Sequence, residues 1–125
     1  MFDKALKLGI AGGMAVLLVS NGYAKVPVAL STVSIAALPS EARDVLSTIK
    51  HGGPFAYARD GVVFGNYERQ LPIERRGYYH EYTVPTPGAR NRGARRIIVG
   101  GTPPAKGDYF YTGDHYNSFQ RILGE

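Results

Sequence analysis

Hydrophobic and polar positions change their period once along this chain. Between Leu38 and Lys50 the apolar residues Ala42, Val45, Leu46 and Ile49 recur at i, i+3, i+4 and i+7. That spacing predicts one amphipathic helix with a single apolar stripe. Pro39 and Ser40 suit its start, Glu41 and Asp44 its positive end, and Lys50 and His51 its negative end. Gly52-Gly53-Pro54 stops it. After this point the pattern is that of short strands between turns. Asp60-Gly61 marks a turn before Val62-Val63-Phe64. Tyr78 to Val84, Arg95 to Val99, Tyr109 to Tyr111 and Ser118 to Leu123 follow as β-rich runs. Pro85 to Gly93 and Gly100 to Gly107 are loops by their Pro and Gly content. The expectation is an α+β domain: a single N-terminal amphipathic helix packed on a twisted antiparallel sheet of about five strands. Residues 25–37 form a lead-in, with Val28, Leu30, Val33 and Ile35 as docking points.

The first residues fall outside this pattern. Lys4 and Lys7 precede an uncharged stretch from Leu8 to Val19, and small residues Gly22 and Ala24 flank Tyr23. This reads as a secretion signal over residues 1–24, leaving a domain over 25–125. The apolar stretch is shorter and more Gly-rich than a membrane span, which needs about 20 apolar residues. No membrane association is expected once the signal is removed.

Composition narrows the chemistry. The chain carries a formal charge of +5, and Asp3, Lys4 and Lys7 account for one net positive charge of it. A small basic domain suits a polyanionic target. There is no cysteine, which excludes thiol chemistry and Cys-based zinc sites. Three histidines at no ligand-like spacing give no other metal site. No P-loop and no Gly-x-Ser-x-Gly elbow is present.

What remains fits cleavage of RNA without a metal or other cofactor. That reaction needs a base for the ribose 2′-OH, an acid for the departing 5′-oxygen, and positive groups around the phosphate. Glu81 lies within the Tyr78–Val84 run, where alternation groups it with Tyr79 and Thr83. A carboxylate there must be paired or partly exposed, and the bland reading is an edge-strand glutamate in water. Arg90, Arg92, Arg95 and Arg96 crowd one stretch. Guanidinium groups bind phosphate bidentately, although a solvated basic loop has the same composition. Arg95 and Arg96 point to opposite faces of a strand, so only one can share the side of Glu81. His115 follows Gly113-Asp114 on a turn tip, where a histidine is accessible and its imidazole can serve as the leaving-group acid. Asp114 suits fixing the turn, and Tyr116 can reach the phosphate. A Glu81 and Asp114 pair acting on sugars is the alternative for the carboxylates, but it leaves the arginines and His115 without a role.

The runs Tyr78–Val84, Thr86-Pro87-Gly88-Ala89-Arg90-Asn91-Arg92-Gly93-Ala94-Arg95-Arg96-Ile97-Ile98 and Tyr111-Thr112-Gly113-Asp114-His115-Tyr116 resemble the secreted microbial guanyl-specific ribonucleases of the barnase-like fold. Ala37-Leu38-Pro39, Gly53-Pro54-Phe55 and Asp60–Phe64 match as well, so the likeness covers residues 34–122. The resemblance implies a helix on an antiparallel sheet, Glu81 as general base and His115 as general acid. It places Arg92 and Arg96 on the scissile phosphate and Tyr116 beside the acid. The implied reaction first makes a 2′,3′-cyclic phosphate, then hydrolyses it to a 3′-phosphate. The guanine-reading loop corresponds to Phe64-Gly65-Asn66-Tyr67-Glu68-Arg69. The Glu68 carboxylate can accept both N1–H and N2–H of guanine, and loop amides can donate to O6. A wrong base would leave these groups unpaired.

Two departures stand out. Relatives often carry Arg where this chain has Tyr67, whose ring can still stack on a base. Many relatives tie their termini with a disulfide, worth about 4 kcal/mol on a chain-entropy argument, and here there is none. Pro103-Pro104 also lengthens a loop before Lys106. The resemblance implies single-stranded RNA, not DNA, as substrate, a monomeric enzyme, and a small acidic intracellular inhibitor as partner. The rival reading is a non-catalytic cationic protein that binds RNA or anionic surfaces and is indifferent to Glu81.

Overall fold

A computed structural model describes residues 30–101 and 108–124. Residues 1–24, read above as a secretion signal, Val28 and the Pro103-Pro104 insertion lie outside these residues. The chain runs through β1 (Ser31–Ser34), a 3₁₀ turn (Ile35–Ala37), α1 (Ser40–His51), β2 (Val62–Phe64), β3 (Tyr79–Thr83), β4 (Arg96–Gly100), β5 (Asp108–Thr112) and β6 (Gln120–Leu123). The strands form one sheet in the order β1-β6-β5-β4-β3-β2. All neighbours are antiparallel except β1 and β6.

The α+β expectation holds, with six strands rather than about five. The additional strand is β1, within the segment expected to be a lead-in. It pairs in parallel with the last strand, Ser31 opposite Gln120 and Ser34 opposite Leu123. Four residues with only Val33 partly buried carry no period of their own. The partner that makes them a strand lies at the other end of the chain.

Helix α1 begins after Pro39 and ends at Gly52, which sits at φ 85°. Gly52 N–H donates to Ile49 O, and Gly53 N–H reaches back to Thr48 O. This is the paired closing pattern that a left-handed residue permits. The apolar stripe then buries Ala42, Leu46 and Ile49 against Tyr82, Val84, Ile97, Val99 and Tyr111 on one sheet face. Burying a side chain of leucine or isoleucine size contributes about 1.5–3 kcal/mol. This helix–sheet layer is therefore the main store of stability and fixes the sheet as a platform.

The other face carries a smaller cluster: Leu71, Tyr79, Ile98, Phe110 and Phe119. Register explains what shares this face. Glu81 pairs with Ile98, Ile98 with Phe110, and Phe110 with Arg121. One step along, Thr83 pairs with Arg96 and Arg96 with Thr112. Side chains opposite one another across a sheet project from the same face. The helix thus covers one side, while the other half-covered side presents a carboxylate, an arginine and two threonines.

Candidate active site

Glu81 is not an edge glutamate in water. It lies between β2 and β4 and is 7 % exposed. A buried carboxylate needs partners, and this one has four. Its Oε1 accepts a 2.6 Å hydrogen bond from the Tyr116 hydroxyl. Arg92 Nη2 and Arg96 Nε stand 3.6 and 3.7 Å from the same oxygen. Arg59 Nη2 approaches the second oxygen, Oε2, at 3.8 Å. Three cations around one anion leave local positive charge in excess, which is what an added phosphate would find.

The threonine–arginine row orders these groups. Thr83 Oγ1 accepts from both Nε (3.1 Å) and Nη2 (2.8 Å) of Arg92. Thr83 is itself held, its N–H donating to Asp60 Oδ1 at 2.8 Å. Arg96 is 3 % exposed; it donates through Nε to the Tyr116 hydroxyl and through Nη1 to Arg95 O. Arg95 points the other way and pairs with Glu41 of α1 at 3.3 Å. So it is Arg96 that shares the side of Glu81, as strand alternation requires of one of the two.

His115 and Tyr116 stand on a turn built by Thr112 and Asp114. Asp114 accepts from Thr112 Oγ1, Ser118 N–H and Ser118 Oγ at 2.9, 3.0 and 2.6 Å. The bonds from Ser118, more than that from Thr112, hold its carboxyl below the usual value. Asp114 is thus a structural group of the turn. His115 and Tyr116 have φ of 57° and 70°, a left-handed pair that ordinary residues rarely adopt. The pair is held by His115 N–H on Ala94 O (3.0 Å), Tyr116 N–H on Thr112 Oγ1 (3.1 Å) and Gln70 Nε2 on Tyr116 O (2.8 Å). The result is an exposed His115 whose ring lies 4.8 Å from that of Tyr116. Burial, and then the bond to Glu81, raise the Tyr116 phenol above its ordinary value.

The loop after β2 faces the same cleft. Asn66 and Arg69 adopt φ of 54° and 58°. Asn66 closes the loop on itself: Nδ2 donates to Leu71 O at 3.0 Å and Oδ1 accepts from Leu71 N–H at 3.1 Å. Arg69 N–H is spent on Asn66 O. Tyr67 is 79 % exposed and lies over Gly65, where a Cβ would come within 2.5 Å of the ring. Phe64 stacks on Tyr116 at 5.4 Å, linking this loop to the His115 turn.

A cleft of about 610 Å³ joins these parts. Of the residues singled out from the sequence, Glu81, Arg92, Arg96, His115, Tyr116, Phe64, Asn66, Tyr67 and Glu68 line it; Arg69 instead lines a neighbouring cleft. Sequence reasoning missed Arg59 and Gln70. Arg59 follows no pattern, and Gln70 reaches a carbonyl 46 positions away. Thr83 was placed on the correct face by alternation, but its hold on Arg92 depends on the path of the loop. Among the described residues no group of His, Cys, Asp and Glu could hold a metal.

A family model of ribonucleases matches residues 24–123. The chain belongs to the ribonuclease family. It is 57 % identical over 91 residues to guanyl-specific ribonuclease Sa of Kitasatospora aureofaciens, covering 73 % of this chain and 92 % of that protein. A structure of ribonuclease Sa2 in complexes with mononucleotides superposes with a TM-score of 0.73 at 47 % identity, covering 78 % of this chain and 97 % of that one. A crystal structure of ribonuclease Sa2 with guanosine-2′-cyclophosphate gives 0.71 at 46 % identity, with 78 % and 99 % covered. The geometry of this ribonuclease can therefore be read as that of an RNA-cleaving site.

Proposed function

We propose that this ribonuclease cleaves single-stranded RNA on the 3′ side of guanosine, with Glu81 as general base and His115 as general acid. The observation that carries the reading is the buried Glu81 carboxylate with Arg59, Arg92 and Arg96 within 3.8 Å, in one cleft with an exposed His115. Glu81 takes the proton of the ribose 2′-OH as the 2′-oxygen attacks phosphorus. His115 protonates the departing 5′-oxygen. The cyclic phosphate then opens when water attacks, with His115 taking the proton of the water and Glu81 returning one to the 2′-oxygen. Arg92 and Arg96 hold the phosphate as its charge concentrates on the equatorial oxygens. Every proton that moves has a side chain to take or give it.

Guanine selection rests on Glu68, which accepts from N1–H and N2–H, and on loop amides donating to O6. Asn66 shapes that loop, and Tyr67 offers its ring to the base. The guanosine-2′-cyclophosphate complex of ribonuclease Sa2 supports both the base preference and the cyclic intermediate. The buried carboxylate counts against a non-catalytic binding module, which gains nothing from an anion set among its cations. The enzyme is exported through residues 1–24 and works outside the cell as a monomer, and a small acidic inhibitor covers the basic cleft inside.

The test is digestion of two short RNAs, alike except for one guanosine replaced by adenosine, in the presence of a chelator. Cleavage only after guanosine, with a cyclic-phosphate end appearing first, is expected. It should be lost in Glu81→Gln and in His115→Ala. Equal cleavage of both RNAs, or activity that survives Glu81→Gln, would overturn the assignment.

A further inference from the structure

Behind the base loop lies a second cleft, of about 280 Å³. It shares Phe64, Gly65, Asn66 and Tyr67 with the catalytic cleft but none of Glu81, Arg92, Arg96 or His115. Its own lining adds Arg69, Arg75 and Arg76 against a single carboxylate, Glu74. Two of these cations are set beside aromatic rings. The Arg75 guanidinium lies 5.9 Å from the Tyr78 ring centre and that of Arg76 lies 6.0 Å from the ring of Tyr67. Arg76 Nη1 also donates to the Tyr67 hydroxyl at 3.1 Å. Tyr67 and Ile73, 79 % and 64 % exposed, offer bare apolar surface at the rim. Guanidiniums grouped around one exposed ring, that of Tyr67, are a combination that holds single-stranded nucleic acid: charge for the phosphate, a flat face for the base.

We propose that this second cleft is a subsite for the nucleotides on the 5′ side of the cleaved guanosine. The proposal rests on the reading of the catalytic cleft given above. The acid must stand at the leaving 5′-oxygen, so the RNA downstream of the cut departs on the His115 side. The cleft across the base loop is then open to the upstream strand alone. Arg75 and Arg76 take an upstream phosphate, and the outer face of Tyr67 takes the base next to guanine. Because the contacts are made whether or not the phosphate has reacted, they act on binding rather than on the chemical step.

The experiment compares kcat/KM for GpU, ApGpU, ApApGpU and GpUpA in the native enzyme and in the variants R75Q and R75Q/R76Q. For the native enzyme, 5′ extension should raise kcat/KM about three- to ten-fold, chiefly through KM, as expected of solvent-exposed phosphate and stacking contacts. In R75Q/R76Q the ratio of ApApGpU to GpU should fall to near one, with R75Q between. A ratio near one in the native enzyme, or a ratio unchanged in the double variant, overturns the subsite. So does a gain from 3′ extension in GpUpA that the double variant abolishes, since it would put the downstream strand there. Failure to cleave GpU at all would defeat the functional reading instead. Binding of the uncleavable ApApdGpU to native and variant protein would then still decide the cleft.

Discussion

Thr83 tests whether the sheet register orders the arginines proposed to hold the phosphate. Its hydroxyl oxygen accepts twice from Arg92, at 3.1 and 2.8 Å, and the residue is 1 % exposed. Thr83→Val keeps the shape and removes the acceptor. Hydrogen bonds to charged groups are worth about 1.5–3 kcal/mol where both partners are buried. The Arg92 side chain is 27 % exposed and can recover part of that from water, so about 1–2 kcal/mol remains at stake. If Arg92 must be aimed when the phosphate charge concentrates, kcat should fall about 5- to 30-fold. KM should change little, and folding stability by about 1 kcal/mol or less, because the freed guanidinium turns outward. Thr83→Ser, which keeps the oxygen, should recover most of kcat. Initial rates on GpU, with melting curves for each variant, decide the matter. A Thr83→Val enzyme within twofold of native kcat, folded and stable, would refute the claim that this row positions the cation.

Other expectations follow from the same geometry. Arg59→Gln removes the exposed guanidinium 3.8 Å from Glu81 Oε2. A drop of about two- to fivefold in kcat/KM, smaller at high salt, should show in rates measured across ionic strength. Asn66→Ala loses both bonds to Leu71 and puts alanine at φ 54°. It should cost about 1–3 kcal/mol in denaturant unfolding and raise KM for guanosine substrates more than it lowers kcat. At high pH, burial holds the phenols of Tyr82, Tyr111 and Tyr116 above their ordinary 10.0. Their contribution to stability is complete below about pH 10 and is lost as pH rises beyond it, because the unfolded chain ionises first. Asp114 acts in the opposite sense: its lowered pKa adds stability above about pH 4 that fades as pH falls. Melting temperatures recorded from pH 2 to 11 should fall at both ends.

The chain carries no cysteine, yet its described ends are joined. The β1–β6 ladder ties residues 31–34 to 120–123 by hydrogen bonds in place of a covalent bridge. Loss of this ladder would free the β6 edge of the sheet without touching Glu81.

Much of the molecule was written locally. The helix was legible because its stripe, its acidic start and its Gly52 stop are all encoded within one short segment. Strands β3 to β6 were legible from β-rich runs bounded by turn residues, although their ends shifted by one or two positions. The side of Glu81 shared by Thr83 and one of the two adjacent arginines followed from period-two geometry alone. Strand β1 was not legible, because a four-residue segment with one half-buried apolar side chain becomes a strand only when a distant edge is free to pair with it.

The candidate site divides in the same way. Residue types alone supplied candidates for a base, an acid and a set of cations, since each chemistry admits few side chains. Only the tertiary structure made Glu81 buried rather than solvated, by placing β3 between two other strands. It alone sent Arg95 to the helix and Arg96 to the cleft, and brought in Arg59, whose segment carries no sign of the site. Side-chain direction along one strand is a local property of the backbone. Burial, charge pairing and the convergence of loops depend on what the rest of the chain places opposite.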